Sequence, residues 1–384
     1  MRKFRLAALF LLSFPTTISA QVVTEQDFAV LAERSFSSAI ASYDIPGLVV
    51  GMTMRGQHYF YSTGLASREE DIATSPDTLF ELGSISKIFN ASLAALAEQR
   101  GHLDLDAAVS DQVPELLGSA FDHIRLMDLA THSTGGLPLQ VPNSITDVPG
   151  LIDWLASWQP PQAGSRSYSN VSIGLLGHIV ADTLGRSFAD AVERDLFPEM
   201  GLESTWIEVP AEAMDRYAFG YARNSNKPIR VNPGVLDDEA YGVKSTAKDM
   251  LRLLDLELGQ AEIAPPLKAA LERTRQGQSK TAYYVQGMIW EQYPWPVSVK
   301  RMVKGNGYDF ILKPQPAEAI NPPLPPQQDV ILNKTGSTNG FGGYVVLLPG
   351  EDLGIVVLAN RNYPNEARIR ATYDLIQSLL AIGE

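Results

Sequence analysis

Cysteine is absent from the 384-residue sequence, and histidine is scarce. Without cysteine, disulfide bonds and thiolate metal sites are excluded, so the core alone must stabilise the fold. The five histidines, at positions 58, 102, 123, 132 and 178, show no H-x-x-x-H spacing. We therefore predict that none of them is a metal ligand. The sequence also lacks a G-x-S-x-G segment, so nothing favours a Ser-His-Asp triad.

Basic residues are outnumbered by acidic ones. The chain carries 31 lysines and arginines against 44 aspartates and glutamates, which gives a net charge of −13. A surface of this sign repels phosphates, so we exclude nucleic acid as a partner. The chain is long enough for one large domain or two closely packed ones.

Long apolar runs are missing as well. The run over 6–14 is too short to span a membrane. It follows basic residues and precedes small ones, which predicts a signal peptide over 1–20 that is cleaved after Ala20 and leaves Gln21 as the first residue. No cysteine precedes this point, so we expect no lipid anchor. The expected product is a soluble periplasmic protein without a membrane anchor.

The elements that are present suggest how the chain is divided. Alternating or continuous apolar runs predict strands at 48–54, 58–62, 286–290, 330–332, 343–348 and 354–358. Helical spacing predicts helices over 26–43, 124–132, 150–158, 169–184, 188–196, 245–258 and 365–380. Residues 210–239 read as a mostly irregular, functional loop.

Strands at both ends with helices between them predict a mixed α/β (α+β) fold. Its antiparallel sheet is built from both termini and flanked by helices, with a mostly helical domain inserted. We expect one domain from 21–100 with 248–384 and the other from 101–247, with the active site between them. The proline-rich segment 313–328 cannot form a central strand, because proline lacks the N–H that a neighbouring strand needs.

One short motif suggests chemistry. A strand-like run over 79–82 meets Gly83, and a helical pattern follows over 88–97. Ser84 and Lys87 therefore lie near a helix start, three residues apart and on one face. This S-x-x-K pattern places a nucleophile beside a proton acceptor, and the free N–H groups of the helix start suit an oxyanion. The alternative is a chance pair of solvated side chains on a helix surface.

Two further motifs strengthen that interpretation. Tyr168-Ser169-Asn170 precedes the helix predicted from 169, and Lys334-Thr335-Gly336 follows the strand predicted at 330–332. Alone, the first is most often a turn and the second a solvated strand end. The order S-x-x-K, Y-x-N, K-T-G, with each motif at the end of an element, predicts a single site.

These motifs resemble those of the serine β-lactamases and penicillin-recognising enzymes, most closely the class C β-lactamases. The resemblance covers essentially the whole chain after the leader, and includes segments 82–87, 137–142, 240–246, 334–338 and 358–365. The tyrosine of the second motif distinguishes the chain from class A enzymes, which carry S-D-N and a glutamate base. The resemblance implies the fold of this family, no cofactor, a small-molecule β-lactam as partner and a monomer.

The resemblance also implies roles for the motif residues. Ser84 is expected to attack the β-lactam carbonyl, and Lys87 and Tyr168 to share its activation; which of the two is the base stays open. Lys87 and Lys334 would favour the tyrosine phenolate. The backbone N–H groups of Ser84 and Ser337 are expected to bind the oxyanion.

Substrate contacts follow by position in the same way. Gln140 and Asn170 are expected to bind the acylamino side chain, and Tyr241 to line its pocket. The substrate carboxylate is expected to meet Lys334 together with Thr335, Asn365 and Arg368. For three of these residues, other roles are open: Gln140 as a loop residue, Asn365 as a helix N-cap and Arg368 in a surface ion pair.

Two features depart from the family pattern. Asn339 stands where the family usually has glycine, so the backbone there could differ if a positive φ is required. The proline-rich segment 313–327 lies where the family shapes the leaving-group side of the pocket.

We predict hydrolysis of β-lactam antibiotics, with cephalosporins preferred. The alternatives are a D-Ala-D-Ala peptidase or esterase on the same fold, or a penicillin-binding receptor that is acylated without turnover.

Overall fold

The structure is a computed structural model that describes residues 23–383. The predicted signal peptide and its cleavage after Ala20 lie outside these residues. The predicted helices over 26–43, 169–184, 245–258 and 365–380 are confirmed. The α-helices are α1 (Glu25–Tyr43), α2 (Lys87–Gln99), α3 (Val109–Gln112), α4 (Leu126–Ala130), α5 (Val148–Ser157), α6 (Asn170–Thr183), α7 (Phe188–Ala191), α8 (Phe197–Met200), α9 (Asp237–Tyr241), α10 (Ala247–Leu258), α11 (Pro265–Thr274), α12 (Val299–Gly305), α13 (Tyr308–Ile311) and α14 (Asn365–Gly383).

Within residues 23–383, the strands form one large antiparallel sheet and three small two-stranded ones. They are β1 (Gly47–Met54), β2 (Gln57–Ser67), β3 (Ile72–Ala73), β4 (Phe80–Glu81), β5 (Ser165–Arg166), β6 (Gly220–Tyr221), β7 (Pro228–Ile229), β8 (Lys244–Ser245), β9 (Gly277–Lys280), β10 (Val285–Gln286), β11 (Glu291–Pro294), β12 (Gln315–Pro316), β13 (Glu318–Leu324), β14 (Val330–Ser337), β15 (Gly342–Leu348) and β16 (Leu353–Ala359). The order in the large sheet is β13-β9-β10-β11-β14-β15-β16-β1-β2-β3.

The sheet is built from both ends of the chain, as predicted. Strand β1 lies between β2 and β16, with Leu48 opposite Ala359 and Met54 opposite Leu353. The first and last helices pack on one face of the sheet, where Arg34 of α1 donates a hydrogen bond of 2.8 Å to Ser378 of α14. Because helices cover both faces, β15 and β16 are buried along their whole length.

Helix α1 begins where its sequence caps it. Thr24 accepts a hydrogen bond from the backbone N–H of Asp27, and the Asp27 carboxylate accepts one from the backbone N–H of Thr24. This reciprocal pair satisfies two N–H groups that a helix start leaves free. The chain leaves the helix through Asp44, whose φ is 48°.

The inserted region is mostly helical. Helices α2 to α9 lie between the first and second groups of sheet strands, and they enclose a core on the face opposite α1 and α14. The predicted domain boundaries near residues 100 and 247 stay a prediction.

One predicted strand is wrong. Residues 286–290 do not run straight: β10 ends at Gln286, and the chain turns and returns as β11. The N–H of Gly287 donates to the carbonyl of Trp290 at 2.8 Å, and Ile289 has a φ of 72°. Met288, Ile289 and Trp290 are apolar because the turn itself is buried, so they imitate a strand pattern.

The proline-rich segment behaves as its composition requires. Strand β13 within it lies at the edge of the large sheet and pairs with β9 alone, out of register between Ala319 and Leu324. Proline is tolerated at such an edge because one side of the strand needs no hydrogen bonds.

Among residues 23–383, no helix combines the length and apolarity that crossing a membrane requires.

Candidate active site

Ser84 lies in a tight turn between the short strand β4 and helix α2. Residues 83–86 form a 3₁₀ turn, and the α-helix begins at Lys87, so Ser84 lies just ahead of the helix rather than inside it. Gly83 has a φ of 54°, and a Cβ on it would lie 2.5 Å from the backbone of Ser337. Glycine is therefore required at position 83, where the turn over residues 83–86 touches the end of β14.

Lys87 lies directly beneath Ser84. Its amine is fully buried and donates hydrogen bonds to Ser84 Oγ at 3.1 Å and to the carbonyl of Ala240 at 2.7 Å. Burial lowers the pKa of Lys87 to about 8, with Tyr168 opposing the shift and Lys334 adding to it. An amine with this pKa can take up a proton near neutral pH and return it.

Tyr168 stands between the two lysines. It follows β5 and precedes α6, where Ser169 caps the helix by accepting a hydrogen bond from the N–H of Ser172. The amines of Lys87 and Lys334 lie 5.3 and 5.2 Å from the centre of the Tyr168 ring. Burial would raise the pKa of Tyr168, but the charges of Lys334 and Lys87 outweigh it and lower the pKa to about 8.

Lys334 comes from β14, the strand that forms the other wall. It is buried and donates a hydrogen bond of 2.7 Å to the carbonyl of Thr335. A Cβ on Gly336 would collide with the carbonyl of Leu82, so this glycine lets the strand end lie against the nucleophile turn. Ser337 follows as the last residue of β14, opposite Gly342.

The structure brings most of the predicted residues to one cavity of about 190 Å³. Among the predicted residues, the cavity is lined by Ser84, Gln140, Tyr168, Asn170, Lys334, Thr335, Ser337 and Asn365. Lys87 lies behind Ser84. Tyr241, at the end of α9, is half-buried and lies outside this lining.

Asn170 and Asn365 lie in the lining and are both mostly buried. The N–H of Asn170 donates to the carbonyl of Leu139 at 2.8 Å, and the side-chain N–H₂ of Asn365 donates to the carbonyl of Asn306 at 3.2 Å. Their side-chain oxygens have no hydrogen-bond partner among the described residues. The side-chain amide of Asn365 is therefore held through its nitrogen, and both side-chain oxygens are buried at the cavity wall with unused acceptor capacity.

Arg368 lies behind β14 and does not line the cavity. Its guanidinium is completely buried and donates to the carbonyl of Gly336 at 2.7 Å, to Ser337 Oγ at 3.0 Å and to the carbonyl of Gly343 at 3.2 Å. Burial lowers the pKa of Arg368 to about 10. Arg368 thus lies behind the end of β14, where its guanidinium holds the hydroxyl of Ser337.

Asn339 is exposed in the turn between β14 and β15. The N–H of Thr338 closes this turn on the carbonyl of Phe341 at 3.1 Å. Over residues 23–383, positive φ values occur at other positions and not at Asn339, so the turn does not require glycine here.

Three buried polar residues of the site were not predicted. Glu291 lines the cavity, and its carboxylate lies 3.7 Å from the guanidinium of Arg166. Burial raises the pKa of Glu291, against the charges of Lys334 and Arg166. His132 is 1% exposed, with its ring centre 4.5 Å from that of Tyr168. No local pattern marks these residues, because their partners are distant in the chain; Arg166, for example, donates to Gln286 at 2.8 Å.

Comparisons with known proteins agree with this geometry. Residues 32–379 match the sequence model of the family described as Beta-lactamase. A curated beta-lactamase of Providencia stuartii is 40% identical over 95% of this chain and 94% of its own. The solved beta-lactamase from Sulfitobacter sp. EE-36 is 70% identical, with a TM-score of 0.93, covering 94% of this chain and 99% of that one.

Two further solved structures bear on class. The class C beta lactamase from Rhodobacter sphaeroides is 63% identical, with a TM-score of 0.90 over 91% of this chain and 99% of that one. A protein from Pseudomonas syringae named Beta-Lactamase/D-Alanine Carboxypeptidase is 41% identical, with a TM-score of 0.89 over 91% of this chain and 98% of that one. Fold and site define a serine enzyme of the penicillin-recognising kind. The chain belongs to the beta-lactamase family, among its class C members.

Proposed function

We propose that this enzyme hydrolyses β-lactam antibiotics through an acyl-enzyme on Ser84, with cephalosporins preferred. One observation carries the proposal: Lys87 contacts Ser84 Oγ at 3.1 Å while Tyr168 stands between Lys87 and Lys334 in the same cavity. A nucleophile, two groups with pKa values near 8 and a neighbouring lysine amine are what acyl transfer near neutral pH requires.

In the acylation step, Ser84 Oγ attacks the carbonyl carbon of the lactam ring. Its proton passes to the Lys87 amine or the Tyr168 phenolate, which act as one coupled pair. The backbone N–H groups of Ser84 and Ser337 bind the oxyanion. When the C–N bond breaks, the ring nitrogen takes the proton and Ser84 holds the acyl group as an ester.

In the deacylation step, a water molecule attacks that ester. The same pair of groups accepts the proton of the water and returns it to Ser84 Oγ as the C–O bond breaks. The product is the ring-opened acid, and the enzyme returns to its starting protonation state. Strain in the four-membered ring supplies driving force for the first step, and hydrolysis of the ester makes the second irreversible.

For substrate binding, we propose that Asn170 and Gln140 contact the acylamino side chain and that Thr335, Lys334 and Asn365 contact the carboxylate. The free side-chain oxygens of Asn170 and Asn365 support the view that both amides await a ligand. The two remaining predicted contact residues, Tyr241 and Arg368, lie outside the cavity lining.

Tyr241 is proposed as the outer wall of the side-chain pocket, as the family resemblance implies. Arg368 is proposed to affect the carboxylate only through Ser337, which it contacts.

The preference for cephalosporins is supported by the leaving-group side of the cavity. Tyr308, Ile311 and Leu312, on and just after α13, form an apolar rim near Asn365, whose side chain donates to the carbonyl of Asn306 just before this helix. Tyr308 and Leu312 are about half exposed, which is a cost unless a ligand covers them. The substituent on the six-membered ring of a cephalosporin would cover this rim.

A D-alanine carboxypeptidase activity is the second candidate. It would use the same serine, lysine and tyrosine, and the solved relative from Pseudomonas syringae carries both activities in its name. The two reactions differ in the bond cleaved: a strained lactam amide in one, a peptide bond to D-alanine in the other.

We also propose that residues 1–20 direct export and that the enzyme acts as a monomer in the periplasm. Basic residues followed by a short apolar run support export.

The test uses the protein from Gln21 onward and its Ser84→Ala variant. Each is mixed with a chromogenic cephalosporin, with a penicillin and with an acyl-D-Ala-D-Ala peptide, and intact mass is recorded for each mixture. Many cephalosporin turnovers by the wild type and none by the variant support the proposal. One added equivalent of mass without turnover would indicate a penicillin-binding receptor, and turnover of the peptide alone would indicate the carboxypeptidase.

A further inference from the structure

His132 contacts the residues on both sides of Tyr168 in the sequence. The carbonyl of His132 accepts a hydrogen bond of 2.8 Å from the N–H of Ser167, and its Nδ1 accepts one of 3.4 Å from the N–H of Ser169. Its ring lies against the Tyr168 ring, with centres 4.5 Å apart and planes inclined by 52°. One residue therefore contacts the backbone before the tyrosine, the backbone after it and the ring itself.

The segment that needs this support is irregular. Residues 167–169 lie between the end of β5 and the start of α6, and belong to neither element. The backbone of His132 has a φ of 59°, in the left-handed region, where residues other than glycine are uncommon. A buried residue kept in such a conformation beside reacting groups suggests a functional constraint.

The hydrogen bonds define the form of the imidazole. Because Nδ1 accepts from Ser169, the ring proton is on Nε2, and the ring is neutral. Within the described part of the chain, Nε2 is buried without a hydrogen-bond partner. Burial lowers the pKa of His132 well below its usual value, and the charges of Arg166, Lys87 and Lys334 lower it further.

The remaining charged and titratable groups around the pair are accounted for as well. Glu291 faces Arg166 and Lys334, and Tyr284 lies close enough to Arg166 for its ring to contact the guanidinium, at 5.5 Å. An added positive charge on His132 would stand among three cations with a single carboxylate to balance them. A neutral ring avoids this and adds no further cation to Lys87, Lys334 and Arg166, which all lie 5.2–5.8 Å from the Tyr168 ring centre.

We propose that His132 is a positioning residue for the reaction, which holds the Tyr168 segment and ring in place through its Nδ1 acceptor and its ring face. This inference rests on the proposed function for its kinetic consequence, but its structural part does not. His132 lies outside the cavity lining and contacts the Tyr168 ring, so it acts through Tyr168.

Two substitutions test the Nδ1 acceptor and the aromatic ring of His132 separately. In His132→Asn, the side-chain oxygen can take the place of Nδ1, and asparagine tolerates a positive φ. His132→Phe keeps a ring of similar size but leaves the N–H of Ser169 without its acceptor. We expect kcat to fall by about tenfold or more in His132→Phe and by no more than about threefold in His132→Asn, with KM nearly unchanged in both. His58→Asn, remote on β2, is the matched control and is expected to change neither constant.

The dependence of kcat on pH gives a second test, because it would not change if His132 contributed packing alone. In His132→Phe, the tyrosine is held less closely between Lys87 and Lys334, so the acid limb of the kcat profile should shift upward. His132→Asn should restore the wild-type limb. Equal kcat and an unchanged limb in a folded His132→Phe variant would overturn the proposal.

Nuclear magnetic resonance tests the same point without turnover. With ¹³C-labelled tyrosine, assigned through Tyr168→Phe, the Tyr168 titration midpoint should rise in His132→Phe. With ¹⁵N-labelled histidine, the wild-type ring should stay neutral with Nε2 protonated from about pH 5 to 9. A protonated His132 in that range, or an unmoved Tyr168 midpoint, would contradict the inference. If the wild type fails to open β-lactams, the proposed function fails alone, and these spectra still decide the role of His132.

Discussion

The amine of Lys87 donates to the carbonyl of Ala240 at 2.7 Å, and to Ser84 Oγ at 3.1 Å. The S-x-x-K lysine is thus fixed by α9, a short helix at the end of a long irregular segment. Asn90, one helical turn further along α2, donates to the carbonyls of Glu239 and Ile173, both at 2.9 Å. These contacts make the position of α9 part of the catalytic geometry.

Removing the Asn90 side chain, which also holds α9 against α2, should therefore lower both stability and activity. Asn90→Ala removes both of these hydrogen bonds, and we expect the free energy of unfolding to fall by about 2 kcal/mol. The kcat should fall as well, because α9 no longer presents Ala240 to Lys87. Urea unfolding and steady-state kinetics measure the two effects. Normal kcat in a destabilised variant would mean that Lys87 is held without α9.

The coupled pair predicts a pH-dependent contribution to stability. The pKa of Tyr168 is about 8 in the fold, against about 10 in the unfolded chain. Between those values the unfolded chain binds the extra proton, so the contribution is full above about pH 10 and is lost as pH falls through about 8. Lys87, also lowered to about 8, changes stability in the same direction.

Tyr168→Phe isolates that contribution. The stability difference between wild type and variant should shift in favour of the wild type by about 1–3 kcal/mol between about pH 7 and 10. Urea unfolding at several pH values measures it. A difference that stays constant with pH would show that the two lysines do not stabilise the phenolate.

Glu257 predicts an opposite pH dependence at lower pH. It is completely buried on α10, with Arg275 Nε at 3.3 Å, and burial raises its pKa to about 7. The neutral form therefore stabilises the fold at low pH, and this stability is lost as pH rises from about 4.5 through 7. Asp238 and Glu239, whose pKa values burial raises to about 6 and about 7, contribute with the same sign.

Glu257→Gln keeps a neutral side chain at every pH. Relative to wild type, the variant should gain up to about 3 kcal/mol between about pH 4.5 and 8. Urea unfolding across this range measures the gain. A flat difference for Glu257→Gln would mean that Arg275 keeps the carboxylate charged throughout.

Substitutions at two glycines with positive φ distinguish the effect of backbone strain from the effect of a close contact. Gly83 has a φ of 54° and touches Ser337, whereas Gly56 has a φ of 75°, and a Cβ on it would meet no atom of the described residues within 4 Å. Gly56→Ala should cost about 1 kcal/mol and leave kcat unchanged. Gly83→Ala should cost more and lower kcat strongly, because the added Cβ would push the backbone N–H groups of Ser84 and Ser337 apart. Thermal unfolding and turnover measure both, and equal kcat in the two variants would refute the required contact.

The sequence predicted the parts of the site that local chemistry marks. Ser84 follows Gly83 just before α2, Tyr168 precedes the cap of α6, and Lys334 precedes Gly336 within β14; such patterns can be recognised without a structure. The sheet built from both termini followed from where the apolar strands lie. The misread stretch at 286–290 shows the limit, since a buried turn is as apolar as a buried strand.

The residues that support the site could not be predicted in this way. His132 contacts Tyr168 across a loop, and Arg166 reaches Glu291 from a different part of the chain. Arg368 was expected beside the substrate and lies instead behind Ser337. In each case the residue type is ordinary, and only the tertiary fold determines what it touches.

The placement of β14 and β16 has a consequence for biosynthesis. Ser84 and Lys87 are translated early, yet the strand that carries Lys334 and Ser337, and the strand that pairs with β1, belong to residues 330–359. A nascent chain that lacks them has an open sheet edge at β1 and half of a catalytic site. The cavity around Ser84 can therefore form only after nearly the whole chain has been synthesised.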